Sequence, residues 1–148
     1  PKRRGMTRVP ELMAAGINVG FGHDCVMDPW YSLGSGDMLE VAHMAVHVGQ
    51  MTSRDAIRAC FDAVTVNSAQ IMGLEGYGLE VGNRADCVLL QAADPIEAIR
   101  LKATRLAVVR GGKVLARAQP RLSQLTLPGR AVTVDPAAYA PQGDSSVG

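Results

Sequence analysis

The sequence predicts an α/β chain in two parts, and three observations carry that reading. First, Ile17-Asn18-Val19-Gly20-Phe21-Gly22 is a short, mostly apolar run that stops abruptly at His23-Asp24, as a buried parallel strand does. Second, apolar residues recur at helical spacing through residues 37–73. Third, Gly76, Gly78 and Gly82 mark a change of texture, after which short strand-like runs and a Gly111-Gly112 turn follow. Residues 1–73 therefore read as the end of a βα barrel and residues 74–118 as an added small sheet. Residues 119–148 read as an extended arm with a disordered tail.

The elements follow in order. Thr7 is placed to cap a first helix, with Pro10 near its first turn and Val9, Leu12 and Met13 on one face; Gly16 ends it. After the strand at 17–22, the Pro-, Gly- and Ser-rich stretch from Cys25 to Gly36 is a loop. Asp37 or Ser35 begins a second helix to about Met51, with Leu39, Ala42, His43, Val46 and Gln50 at helical spacing. Thr52-Ser53 caps a third helix from about Arg54 to Ala63, and Val66 to Gly73 adds another turn or two. Ala85 to Leu90 is a strand, Pro95 to about Lys102 a helix, and Leu106 to Arg110 a strand. Gly111-Gly112 is a two-residue hairpin turn into Lys113 to Ala118. Beyond Gln119, repeated Pro, Ala, Gly and Ser predict an extended arm to about Val134 and then a disordered tail.

Composition narrows the functional classes. At 148 residues the chain is long enough for one ordinary domain and short for a barrel enzyme. Hydrophobic residues at 47% and charged residues at 20% describe a soluble globular protein. A net charge of +1 gives no reason to expect nucleic acid or an anionic membrane as partner, and Lys2-Arg3-Arg4 reads as a solvated edge. Cys25, Cys60 and Cys87 are odd in number and share no short spacing. They support neither a disulfide framework nor a zinc ribbon, and a reducing cytoplasm fits them best. No apolar run reaches the roughly 18 residues that span a bilayer, and no signal-peptide pattern opens the chain. The opening PKRRGMTRVPELM reads as mid-domain sequence, so a fragment is expected.

Asp24 is the first candidate for chemistry. Groups at the C-terminal ends of barrel strands face the pocket, and a carboxylate there can bind a divalent metal or accept a proton. Position alone leaves open the commoner use of such an aspartate, as a cap or loop hydrogen bond. Trp30, the one tryptophan, sits in the following loop, where it can stack on a planar heteroaromatic ring or plug the barrel end. Asp28, before Pro29, is read as fixing the loop backbone. His43 and His47 stand at i, i+4, but the helix reads H-M-A-V-H and lacks the glutamate of H-E-x-x-H. They are read as a structural or solvent-facing pair, and Cys60, Cys87 and the seven methionines as core packing.

Several segments, in this order and spacing, resemble the cytosine deaminase branch of the amidohydrolase superfamily. They are GMTRVPELMAAGINVGFGHDCVMDPWY, the stretch from Gly34 to Met51, YGLEVGNRADCVLL, and VVRGGKV. The resemblance implies a (β/α)8 TIM-type barrel holding one divalent metal, iron or zinc, and a small β-sandwich built from both chain ends. It implies that Asp24 coordinates the metal and takes the proton of the attacking water. Metal-bound hydroxide then attacks the amine-bearing ring carbon, and ammonia leaves. Trp30 would border the substrate, a small heterocyclic amine, and the full-length protein would be a homo-oligomer. The family's other ligands, an HxH, two further histidines and a catalytic glutamate, have no match in this chain.

One departure stands out. Many members carry GHDD where this chain reads GHDC, so Cys25 replaces a carboxylate beside the pocket with a small, weakly polar thiol. That predicts tolerance of a ring substituent, such as a methyl at carbon five, or preference for another amino-azine or aminopurine. A thiol that merely packs against the loop is the competing reading. Met27 stands where phenylalanine is common, giving a softer pocket wall. The alternatives are an s-triazine N-alkylamide amidohydrolase and a non-catalytic scaffold fragment, since one carboxylate cannot make a tight metal site. Unpaired backbone and exposed apolar faces also predict poor independent folding.

Overall fold

The computed structural model describes residues 5–130 and 133–137. The Lys2–Arg4 cluster and the tail beyond residue 137 lie outside the described residues.

Helix α1, Val9–Ala14, starts one residue later than a Thr7 cap requires. Arg8 is the N-cap and makes no side-chain cap bond. An arginine side chain carries only donors and cannot accept from the first-turn N–H groups, and Pro10 removes one of those groups and presets φ. Gly16, at φ +75°, ends α1, with Gly16 and Ile17 N–H groups returning to the Met13 and Leu12 carbonyls.

Residues 17–22 carry no strand assignment, a difference from the expected buried strand. A strand is defined by its ladder, and among the described residues no neighbouring strand pairs with this segment. Helical groups hold it instead. The Phe21 N–H donates to the Ala63 carbonyl at 2.9 Å, and the Asn67 amide donates to the Val19 carbonyl at 3.1 Å. Gly20 allows the close approach: a Cβ there would lie 2.8 Å from Ile71 Cδ1 and 3.3 Å from Ser68 Cα. Val19 and Phe21 are half-buried and Ile17 is exposed.

Helix α2, Met38–Val48, is capped by Asp37, whose carboxylate accepts the Leu39 N–H at 2.7 Å. It stops short of Met51 because Gln50 adopts φ +53°, and Gln50 and Met51 N–H groups fold back to the His47 and Val46 carbonyls. Helix α3, Arg54–Ala63, is capped by Ser53, and α4 spans Val66–Ile71. Helix α5, Pro95–Leu101, is capped by Asp94 and ends at Lys102 in the left-handed region. The core joins α1, α2, α3 and α5 through Val9, Leu39, Ala42, Val46, Cys60 and Ile99, with Met51 and Ala103 at the helix ends.

Strands β1 (Cys87–Leu90), β2 (Arg105–Arg110) and β3 (Lys113–Arg117) form an antiparallel sheet in that order. Gly111 and Gly112, at φ +55° and +74°, supply the two left-handed residues that a right-twisted two-residue hairpin requires. Within the expected arm, β4 (Ser123–Gln124) pairs antiparallel with β5 (Thr133–Val134). Buried Gln91 anchors this arm. Its amide donates to the Arg121 carbonyl and the Asp135 carboxylate and accepts the Arg121 N–H at 2.7 Å. The architecture is α/β with small sheets. Among the described residues, no helix is long and apolar enough to cross a membrane.

A candidate active site at the end of residues 17–22

The chain leaves the 17–22 segment through a tight reversal. Asp24 adopts φ +63°, a left-handed conformation that aspartate tolerates better than most residues. The His23 ring bonds across it, with Nδ1 3.1 Å from the Cys25 carbonyl oxygen. Asp28 fixes the loop as its sequence suggested: one carboxylate oxygen accepts the Trp30 N–H at 2.9 Å and the Tyr31 N–H at 3.0 Å. The Met27 N–H to Leu33 carbonyl bond, 2.9 Å, closes the loop.

A cavity of about 460 Å3 opens here, lined by Asp24, Cys25 and Trp30 together with Tyr31 and the α2 side chains Glu40 and Met44. Three of the sequence candidates thus share one cavity. Met27 does not line it; its side chain is 78% exposed and its φ is +50°. Trp30, 83% exposed, presents most of its surface for a contact. His43 and His47 stack with ring centroids 4.5 Å apart and do not line the cavity. Burial, followed by the neighbouring His47, lowers the His43 pKa.

The electrostatics of Cys25 are distinctive. Hydrogen bonding to the Asp28 carboxylate, then desolvation and the nearby Asp24 charge, push its thiol up to about 11. The same bond holds Asp28 below the usual carboxylate range. Cys25 is therefore a neutral thiol at physiological pH, adjacent in the chain to the Asp24 carboxylate. Cys60 is fully buried and also raised to about 11, by desolvation, as core packing demands.

Sequence reasoning missed Tyr31, Glu40, Val41 and Met44. It followed the Leu39, Ala42 and Val46 stripe of α2, whereas Glu40 and Met44 lie on another face at i, i+4. The run Val41, Met44, Ala45, Val48 was the available signal. It lines a second, largely apolar cavity of about 370 Å3 beside the 19–22 segment.

The amidohydrolase-family model matches residues 1–117. The chain belongs to the amidohydrolase family. It is 33% identical over 110 residues to the N-isopropylammelide isopropyl amidohydrolase of Pseudomonas sp. (strain ADP), covering 74% of this chain and 27% of that protein. It is 32% identical over 126 residues to the pterin deaminase of Rhizobium rhizogenes, covering 84% and 28%. The 5-methylcytosine deaminase of Klebsiella pneumoniae liganded with 5-fluorocytosine superimposes with TM-score 0.77 at 40% identity, covering 88% of this chain and 31% of that one. The same enzyme liganded with phosphonocytosine gives 0.78 at 41% identity, covering 84% and 31%. The chain therefore spans about 30% of the length of the relatives it matches.

Deaminases of the amidohydrolase family use a divalent metal. Among the described residues, no three His, Cys, Asp or Glu side chains gather as a metal site. Asp24 fits such an ion as one oxygen donor, exposed at the cavity rim; a catalytic site needs about three protein ligands.

Proposed function

We propose that this chain forms the last part of a (β/α)8 barrel enzyme and its small β-sandwich, and that the whole enzyme deaminates an aminated nucleobase or related azine. One observation carries the reading: Asp24, Cys25 and Trp30 line one cavity at the C-terminal end of the 17–22 segment. The lack of a strand ladder on that segment among the described residues and the apolar cavity beside it fit a neighbouring strand supplied by the rest of the barrel.

The divisions at residues 73 and 118 belong to the same proposal, as do iron or zinc as the metal, a homo-oligomer and a cytoplasmic location. When bound, the metal supplies the Lewis acidity that makes water a nucleophile near neutral pH. Asp24 contributes one ligand and accepts the proton of the attacking water. Trp30 stacks on the heterocycle and orients it. Cys25, a small thiol on the cavity wall, presents a weakly polar surface where a second carboxylate would present charge. That favours a ring carrying a small apolar substituent at carbon five, and the likeness to a 5-methylcytosine deaminase supports it. Met27 is a second-rank contact, reaching substrate only if its loop shifts.

The test is turnover of cytosine and 5-methylcytosine by the whole enzyme and by two variants. Asp24→Asn should abolish both activities. Cys25→Asp should lower the 5-methylcytosine to cytosine ratio of kcat/KM about tenfold, the worth of one methyl against a charged wall. An unchanged ratio refutes the Cys25 assignment. The relative acting on N-isopropylammelide favours one rival, removal of an alkylamine from an s-triazine. Faster turnover of N-alkyl triazines than of both pyrimidines would establish that rival. Absence of all three activities and of bound metal would favour an inert scaffold.

A further inference from the structure

His23 has no part in the chemistry above, yet its ring is tied to both ends of the loop. Nδ1 meets the Cys25 carbonyl at 3.1 Å; a carbonyl oxygen only accepts, so Nδ1 carries the hydrogen. This bond closes a ring of covalent atoms around the Asp24 backbone, the residue at φ +63°. The same edge of the imidazole, Cε1 and Nδ1, lies against Gly34, near the loop's end. A Cβ at Gly34 would lie 2.7 Å from His23 Cε1 and 3.0 Å from the Cys25 carbonyl oxygen, and Gly34 itself sits at φ +89°. The side chain, the carbonyl and the glycine are therefore one packed unit, with Asp24 at its centre.

We propose that His23 is a positioning residue, which holds the Asp24 backbone in its left-handed conformation and so aims the carboxylate into the cavity, with Gly34 providing the space the imidazole needs. A left-handed aspartate is strained and persists only where its surroundings hold it. Releasing it lets the carboxylate turn away from the cavity, and a misplacement of about 1 Å costs on the order of 100-fold in rate. The inference rests on the reading of Asp24 given above.

The whole enzyme is compared as wild type, His23→Ala, His23→Asn, Gly34→Ala, the His23→Ala/Gly34→Ala double variant, and Asp24→Asn. Readouts are kcat, KM, thermal midpoint and metal bound per chain by elemental analysis. His23→Ala is expected to lower kcat by about 10- to 100-fold, to reduce bound metal, and to leave KM and the thermal midpoint near wild type. His23→Asn places an amide nitrogen where Nδ1 stood and recovers most of both losses. Gly34→Ala lowers kcat through the displaced ring, and its effect shrinks in the His23→Ala background, where no ring remains to displace. That pair keeps the test decisive if one single variant folds poorly. Wild-type kcat and metal content in His23→Ala, with Asp24→Asn inactive, overturns the positioning role alone. So does an equal Gly34→Ala loss in both backgrounds. Full activity in Asp24→Asn instead overturns the reading of Asp24, and the positioning role with it.

Discussion

The ion pair between Asp37 and Arg105 links the site wall to the small sheet, and its energetic worth can be predicted. Arg105 on β2 donates to both oxygens of Asp37, one bond measuring 2.8 Å, across 68 residues of sequence. Asp37 also caps α2, the helix carrying Glu40 and Met44 into the cavity. The two side chains are 24% and 36% exposed. The pair therefore falls between exposed pairs, about 0.2–1 kcal/mol, and buried pairs, about 3–5 kcal/mol when one partner is lost. For this two-pronged, partly screened geometry we expect about 1–2 kcal/mol. Arg105→Met removes the pair alone, and Asp37→Asn removes the charge and keeps the cap. Asp37→Ala loses both, so a further ~1 kcal/mol brings its cost to about 2–3 kcal/mol. Urea unfolding of the whole protein, followed by circular dichroism, measures each variant and the Asp37→Asn/Arg105→Met pair. Folding lowers the Asp37 pKa, chiefly through the Arg105 bond. The contribution is thus present above about pH 4 and lost as pH falls through the folded value. The cost of Arg105→Met should shrink in acid. Additive single-variant costs at neutral pH, or an undiminished cost in acid, would refute the argument.

Other outcomes follow from the same geometry. Trp30→Ala should raise KM by about 5- to 30-fold, the worth of about 1–2 kcal/mol of ring stacking, and Trp30→Phe should recover part of it in steady-state kinetics. Cys25 should resist iodoacetamide at neutral pH despite its partial exposure. Asp28→Asn removes the leading cause of its raised pKa, so alkylation should accelerate about threefold for each pKa unit regained, the larger thiolate fraction being offset in part by its lower nucleophilicity. Gly20→Ala drives a methyl against α4 and should destabilise by about 1–3 kcal/mol in the same urea assay. The 148-residue chain expressed alone should aggregate, since Met6, Met44 and Val48 around the 19–22 segment lack cover. A sharp melt of a monomer in analytical ultracentrifugation and calorimetry would contradict that.

Local rules made much of this protein legible. Ser53 and Asp37 cap the helices they precede because a short polar side chain before an apolar run has few better uses. Gly111-Gly112 forms its hairpin because only glycine enters two left-handed positions without cost. Asp28 locked the loop for an equally local reason. Where a distant group decided the outcome, one-dimensional reading failed. Gln50 ends α2 early in a conformation glycine would have announced, and Met51 packs into the core instead of extending the helix.

The sequence alone determined which residue carries the carboxylate at the end of the 17–22 segment, which aromatic follows it, and which thiol stands beside it. Those facts are residue identities at fixed spacing. Only the tertiary structure decided how Asp24 is held. Its left-handed backbone, the His23 bond spanning it and the Gly34 space beneath the ring depend on three segments of one loop meeting in space. Periodicity cannot report such a meeting, because it arises from packing and hydrogen bonding between residues with no regular spacing.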